Sequence, residues 1–192
     1  MLTFIISSLV ITLGVALVLV LSDPIKVLTP NESLDFDDAM RQDLTGLPET
    51  TTVQMRDGTG LAIRSYGEQH SDKPLIVMVH GSGWHGMQFH GLARSLSTDA
   101  MVLVPDLRGH GANPDRRGDI DYIGQFEDDL ADLIAARAVP NQKVIMLGHS
   151  SGGGLVVRFA GGEHAALIDR AILLAPFLKH NAATTRENSG GW

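Results

Sequence analysis

A glycine-flanked serine near the middle of the chain has the spacing of an activated nucleophile. Residues 148–152 read Gly-His-Ser-Ser-Gly, a G-x-S-x-G pattern centred on Ser150. A serine hydroxyl becomes a good nucleophile when a histidine takes its proton and a carboxylate orients that histidine. The pattern alone is weak, because a chain with 21 glycines among 192 residues can produce it by chance. The chemistry that it indicates is acyl transfer.

The segments on either side of this pattern have the composition that such a serine needs. "KVIML" precedes it as an apolar run typical of a buried strand, and "GGLVVRFAGG" follows it as a predicted helix. Glycines at 148 and 152 let the backbone turn sharply and bring strand and helix close together. The amino-terminal end of the helix also directs the Ser151 N–H toward a developing oxyanion. A strand, a sharp turn and a helix are therefore predicted around Ser150.

A second glycine-rich turn, independent of the first, follows an earlier apolar run. After "PLIVMV" the chain reads His80-Gly81-Ser82-Gly83. Such a turn can direct a backbone N–H, that of Ser82, at the same oxyanion. Two donors from two loops at one edge of a parallel sheet are what acyl transfer requires. The alternative is an ordinary strand-to-helix turn that uses glycine for its positive φ.

Four apolar runs predict the sheet that would bring both turns to one edge. Each run is continuous, as in strands buried on both faces: "PLIVMVH", "AMVLVPD", "KVIMLGHS" and "RAILLAPF". Helices are predicted between them at 87–97, 122–137 and 153–161. This alternation gives parallel βαβ units with helices on both faces of one sheet. Upstream, "TTVQM" and "LAIRSYG" around the Asp-Gly turn "RDGTG" predict a hairpin.

Three motifs in a fixed order then resemble a known superfamily. "HGSG" after one strand, "PDLRGHG" after the next and "GHSSG" before a helix resemble the α/β-hydrolases. The branch that they resemble most is that of lysophospholipases, monoacylglycerol lipases and serine aminopeptidases. The resemblance covers about 51–178 and implies a mostly parallel sheet with helices on both faces. It says little about substrate, since one fold hosts many hydrolases.

The resemblance also implies roles for the motif residues. Ser150 would be the nucleophile, and Ser82 and Ser151 would donate their backbone N–H groups to the oxyanion. The other motif residues would stabilise the turns without taking part in the chemistry: His80, Gly81, Gly83, Asp106, Arg108, Gly109, His110, Gly111, Gly148 and Gly152.

The acid and the general base are not identified in this chain. In the superfamily they follow the nucleophile, acid first and histidine second. Downstream of the last predicted strand only His180 and Glu187 are candidates, and His180 lies just past the wrong strand to be the base. We therefore expect the amino-terminal part of a longer hydrolase, truncated after its sixth strand.

The remaining titratable residues have ordinary interpretations. His85 and His90 are near the second turn and could line a pocket, and Asp169 is expected at the opposite edge of the sheet. The other histidines are assigned to the turns (His80, His110), to a position beneath the serine turn (His149) or to the surface (His70, His164).

The first residues form an apolar segment apart from this domain. Residues 2–21 carry no charge and are long enough to cross a bilayer as a helix. We predict a transmembrane anchor at 1–21, a polar tether at 22–48 with a short amphipathic helix at 36–44, and a partial hydrolase domain at 49–192. A cleaved signal peptide, and hence secretion, is the alternative. It is disfavoured because no Lys or Arg precedes the run and no clean cleavage site follows it. The side of the membrane is not predicted.

Composition limits the remaining classes of function. A net charge of −7 and a pI near 5.5 leave no basic stripe for nucleic acid. The absence of cysteine excludes a disulfide framework and thiolate metal sites. The acids at 127–129 and 132 are predicted to form a solvated helix face rather than a metal site. No metal or organic cofactor is implied.

The leading hypothesis is a membrane-anchored serine hydrolase that acts on small-molecule carboxylic esters through an acyl-enzyme on Ser150. Lipid-like acyl esters are favoured because an anchor would keep the site near lipid. One alternative is a non-catalytic binding protein of the same fold, or an inactive fragment. Others are a peptidase, a thioesterase or a haloperoxidase. Dehalogenases and epoxide hydrolases of this fold use aspartate where this chain has serine.

Overall fold

The computed structural model describes residues 2–22, 43–113 and 116–179, in two compact units that divide after residue 41. The first unit contains one helix, α1 (Leu2–Ser22), of 21 residues. At 1.5 Å per residue it is about 31 Å long, and its mean hydropathy is 2.8 over Thr3–Ser22. It is a candidate membrane span by length and composition, although a signal sequence has the same features. The predicted tether and its short helix lie mostly outside the described residues.

The second unit is built on one mixed sheet of six strands in the order β1-β2-β4-β3-β5-β6. Strands β3 to β6 run parallel to one another, and the hairpin β1–β2 joins them antiparallel through β2 and β4. The predicted mostly parallel sheet is confirmed. The strands are β1 (Thr51–Gln54), β2 (Gly60–Tyr66), β3 (Leu75–Val79), β4 (Met101–Pro105), β5 (Val144–His149) and β6 (Arg170–Leu174).

The helices follow the predicted positions with shifted ends. They are α2 (His90–Leu96), α3 (Gln125–Arg137) and α4 (Ser151–Ala160), with 3-10 turns at Gly86–Phe89 and Ala165–Leu167. The helix predicted at 87–97 is thus a 3-10 turn followed by α2. The helix predicted at 122–137 begins three residues later, because Gly124 has a φ of +111° and stops helical geometry there.

Helices cover both faces of the sheet, as predicted. On one face α3 and α4 bury Leu133 and Phe159 against Val77 of β3 and its neighbours. On the other, α2 and the turn before it bury Ala93 and Phe89 with the opposite side chains of β3 and β4. Strands β3 and β4 are buried at every residue, which explains their continuous apolar sequence.

Strand β6 is the exception to this burial. All five of its residues are exposed, and it pairs with β5 along one edge only. Its three large apolar residues, Ile172, Leu173 and Leu174, are 37–39% exposed. In the described part of the chain β6 therefore presents an exposed apolar edge.

Candidate active site

Ser150 stands on a strained turn between β5 and α4. Its φ of 55° and ψ of −123° lie in a region that residues other than glycine rarely adopt. Backbone hydrogen bonds to both the N–H and the carbonyl of Ser150 hold this conformation. Ser150 N–H donates to the Leu174 carbonyl at 3.0 Å, and the Ser150 carbonyl accepts from Phe177 N–H at 2.8 Å. The same carbonyl accepts from Gly153 and Gly154 of α4.

Glycines on both sides of Ser150 are required by close backbone approach. A Cβ at Gly148 would overlap the backbone of Gly152, the second residue of α4. A Cβ at Gly152 would overlap the carbonyl oxygens of Val79 and His80 at the end of β3. Any side chain at either position would therefore push α4 away from the sheet.

The "HGSG" turn meets this serine turn directly. A Cβ built on Gly81 would lie 3.1 Å from the Ser150 Cβ, so the two turns are in contact. Ser82 N–H donates to Ser151 Oγ at 2.6 Å, and the Ser82 hydroxyl donates to the same oxygen at 2.9 Å. The two residues predicted as oxyanion donors are thus adjacent to each other and to Ser150. The side-chain contact between them was not predicted.

The buried side chain of His80 anchors the "HGSG" turn. His80 is fully buried, and its Nε2 accepts from Leu107 N–H at 2.9 Å. Its Nδ1 is 2.8 Å from the Gly81 carbonyl, to which it donates. Burial lowers the pKa of His80 below its usual 6.5 and outweighs the raising effect of that carbonyl, so the ring is neutral. Both ring nitrogens are engaged, which makes His80 a support for the turn.

The "PDLRGHG" residues contact the surrounding loops rather than Ser150. Buried Asp106 accepts from Gly86 N–H at 2.6 Å and from Ala112 N–H at 2.9 Å. His110 Nδ1 lies 2.9 Å from the Arg108 carbonyl, and its ring contacts His80. Gly109 and Gly111 have positive φ values, and a Cβ at either position would overlap neighbouring atoms.

The prediction that the acids of α3 form a solvated face is wrong for the acid that binds Arg108. Its guanidinium donates to both oxygens of Asp129, at 3.0 and 2.7 Å, and also pairs with Asp57 at 2.8 Å. Asp129 is only 2% exposed. One of the helix acids is therefore a buried partner of the "PDLRGHG" turn. Two others, Asp128 and Asp132, pair with Arg56.

No histidine or carboxylate in the described ranges is hydrogen-bonded to the Ser150 hydroxyl. The expectation that His90 lines a pocket is wrong, because it is fully buried between the Tyr66 hydroxyl (3.1 Å) and the Thr45 carbonyl (3.2 Å). His85 stays half-buried near the turn, and its buried Nδ1 has no hydrogen-bond partner among the described residues.

The other titratable candidates lie away from Ser150. Asp169 accepts from Val144 N–H at the beginning of β5, so it lies at the opposite edge of the sheet, as expected. His70 is on the surface as expected, but His164 is mostly shielded and pairs with Asp128 at 2.7 Å. His180 and Glu187 lie outside the described residues.

Within residues 2–22, 43–113 and 116–179, the cluster that most resembles a metal site is formed by Asp128, Glu163 and His164. Their candidate ligand atoms lie within 4.8 Å of one another. However, Asp128 already accepts from His164, from the Tyr122 hydroxyl at 2.6 Å and from Arg56 at 2.9 Å. These contacts describe an ion-pair network on the outside of α3 and α4.

An apolar cavity that sequence reasoning missed opens beside Ser151. It has a volume of about 550 Å³ and lies between α4, the start of α3 and the chain that follows β6. It could not be predicted because its walls come from three separated segments. The apolar residues that line it include Ile123, Phe126, Leu155, Phe177 and Leu178.

Comparison with known proteins assigns this arrangement to a family. The family model described as "Serine aminopeptidase, S33" matches residues 70–189. The chain belongs to the serine aminopeptidase S33 family. The order of its motifs along the chain resembles that of the α/β-hydrolases. This S33 chain also carries its glycine-flanked serine between a parallel strand and a helix.

Lipases are among the relatives of this S33 chain. It is 30% identical to human monoglyceride lipase over 134 residues, which are 67% of the chain and 44% of that protein. It is 32% identical to a monoacylglycerol lipase of Mycolicibacterium smegmatis over 100 residues, 49% of the chain and 36% of that protein.

The fold of the S33 chain also matches a solved lipase structure. A soluble variant of monoglyceride lipase from Saccharomyces cerevisiae superimposes with a TM-score of 0.59 at 24% identity, over 71% of the chain and 47% of that structure. The S33 chain thus spans less than half the length of each of these three relatives.

Proposed function

We propose that this chain carries the nucleophile and the oxyanion donors of a serine hydrolase that cleaves carboxylic esters. The observation that supports this most is the conformation of Ser150. A strained backbone persists only where surrounding contacts over-determine it, and such residues cluster at active sites. Here four backbone hydrogen bonds, from β6, α4 and the segment after β6, hold Ser150 in that conformation.

In the proposed reaction, Ser150 Oγ attacks the ester carbonyl carbon and the carbonyl oxygen becomes an oxyanion. Backbone N–H groups of Ser82 and Ser151 donate to that oxyanion. The first N–H groups of a helix have no intrahelical acceptor, so the Ser151 N–H is available for this role. The general base takes the Ser150 hydroxyl proton and passes it to the leaving alcohol. Water then attacks the acyl-enzyme, gives up a proton to the base, and releases the acid while Ser150 regains its proton.

The general base and its carboxylate are proposed to come from outside the described residues. Within the described ranges no histidine is bonded to Ser150, and the chain spans 44% of human monoglyceride lipase. We propose the domain at 49–192 as the partial hydrolase, with 1–21 as a membrane anchor and 22–48 as its tether. No metal or organic cofactor enters this chemistry.

Lipid-like acyl esters are the proposed substrates. The cavity beside Ser151 is lined mostly by aliphatic and aromatic side chains, which suit an acyl chain, and it also includes the charged residues Glu127 and Arg158. The lipase relatives act on acylglycerols by name. An anchor would keep such a site close to its substrate.

A fluorophosphonate probe tests the nucleophile. We expect slow labelling of the full chain in detergent micelles, because the oxyanion donors alone, without a base, leave only residual reactivity at Ser150. The label should be located at Ser150 by peptide mass spectrometry and lost in Ser150→Ala. Ser95→Ala is the matched control, since Ser95 lies within α2 and its hydroxyl donates to the Leu92 carbonyl of the same helix. Equal labelling of Ser150→Ala, or labelling confined to another residue, would refute the proposal.

A non-catalytic binding protein is the second candidate. It is favoured by one observation, the absence of a base at Ser150 among the described residues. Folded protein that takes up no probe would support it. Comparison of p-nitrophenyl esters with aminoacyl-coumarin amides of the same acyl group separates an esterase from a peptidase. We expect cleavage of the esters only.

A further inference from the structure

The side chain of Ser151 occupies a donor that the oxyanion would need. Ser151 Oγ accepts the hydrogens of both Ser82 N and Ser82 Oγ, at 2.6 and 2.9 Å. A backbone amide carries a single hydrogen. The Ser82 N–H therefore cannot donate at full strength to Ser151 and to a substrate carbonyl oxygen at the same time. This contact must break before an acyl group can use both proposed donors.

We propose that the Ser151 hydroxyl is a gate on the oxyanion pocket, which holds the Ser82 N–H in the substrate-free protein and releases it when an acyl group binds. The inference rests on the proposed function. Rotation of the Ser151 side chain to another staggered position is sufficient to open the gate. Because this serine is partly exposed, its hydroxyl can bond to water once it has rotated. No covalent bond at Ser151 forms or breaks.

Removing the hydroxyl would have two effects of opposite sign. It would free the Ser82 N–H, which favours binding, and it would release a turn flanked by Gly81 and Gly83, which opposes binding. The first effect dominates because the turn is fixed independently. His80 is fully buried and bonded to the Gly81 carbonyl and to Leu107 N–H, so the turn stays in place without Ser151.

Rates of fluorophosphonate labelling at Ser150 test the gate in the full chain. One net hydrogen bond corresponds to roughly a fivefold change in an equilibrium, so Ser151→Ala is expected to label about fivefold faster. Ser151→Thr keeps the hydroxyl and with it the contact to Ser82, so it should not show the acceleration expected of Ser151→Ala. Ser82→Ala keeps the backbone N–H but loses the hydroxyl, which is one of the two groups that donate to Ser151 Oγ. Its labelling rate should therefore lie between those of wild type and Ser151→Ala. Ser95→Ala again serves as the matched control.

The state of the Ser82 amide provides a readout that does not depend on activity. In ¹⁵N-labelled full chain in micelles, we expect the Ser82 amide proton to shift upfield in Ser151→Ala and to exchange faster with solvent. Ser151→Thr should leave both unchanged.

The outcomes separate the gate from the proposed function. An unchanged Ser82 amide in Ser151→Ala overturns the gate alone. A shifted amide together with slower labelling overturns it as well, because the hydroxyl would then assist the reaction. A shifted amide with no labelling of any variant refutes the proposed function, and with it the role of the gate.

Discussion

Replacing Gly152 by alanine tests the most constrained contact in the site. The new methyl group would overlap two carbonyl oxygens, those of Val79 and His80. These are backbone atoms at the end of a fully buried strand, so they cannot rotate away as a flexible side chain would. Helix α4 must shift instead. Overpacking of this kind costs about 1–3 kcal/mol, and we expect the upper part of that range.

The measurement is thermal and urea unfolding of the full chain in micelles. For a protein of this size each kcal/mol corresponds to about 2–4 °C, so a loss of about 2–3 kcal/mol should lower Tm by about 4–12 °C. Labelling at Ser150 should fall as well, because a shifted α4 would carry the backbone N–H of Ser151, the second proposed oxyanion donor, out of position.

Gly91→Ala is the matched control. Gly91 lies in α2, is exposed, and has no atom within 4 Å of a Cβ built on it. The same substitution there should stabilise by about 0.5–1 kcal/mol through helix propensity. If Gly152→Ala unfolds at the same temperature as wild type, the close approach of α4 to β3 does not constrain the site as described.

Three further outcomes are expected. Asp129→Ala leaves Arg108 with only its more exposed partner Asp57, so the cost in urea unfolding should be about 3 kcal/mol or less. Asp119→Ala, at an exposed ion pair, should leave the urea midpoint almost unchanged. Burial lowers the pKa of His80 below 6.5, so as pH falls the unfolded chain is protonated at this residue before the folded chain is. Stability should therefore fall as pH drops below about 6.5. A urea midpoint that does not change between about pH 7.5 and 5.5 would contradict this. Leu178→Gln should slow hydrolysis of p-nitrophenyl decanoate about tenfold and spare the acetate if the cavity holds the acyl chain.

The sheet and the serine turn could be predicted because their signals are local. Continuous apolar runs bounded by glycine fixed four parallel strands, and the Asp-Gly turn fixed the hairpin. Helix ends were less predictable, since the start of α3 depends on the positive φ of Gly124, which the helical periodicity of 122–137 did not reveal.

The partners of individual side chains could not be predicted, because they come from distant parts of the chain. Asp129 was assigned to solvent from its helix position, yet Arg108 lies 21 residues away in sequence and binds it in the core. His90 was assigned to a pocket, yet Tyr66 and Thr45 enclose it. The contact between Ser82 and Ser151 joins residues 69 apart.

Strand β6 connects the fold to the proposed chemistry more closely than its position at the edge suggests. It is the most exposed strand, and elements with few buried contacts open first. Yet its last residue, Leu174, accepts from Ser150 N–H, and Phe177 just beyond it donates to the Ser150 carbonyl. When β6 separates from β5, Ser150 loses both bonds and its strained backbone can relax. The geometry of Ser150 therefore depends on how well the outer edge of β6 is covered, and any segment that covers that edge also stabilises the nucleophile.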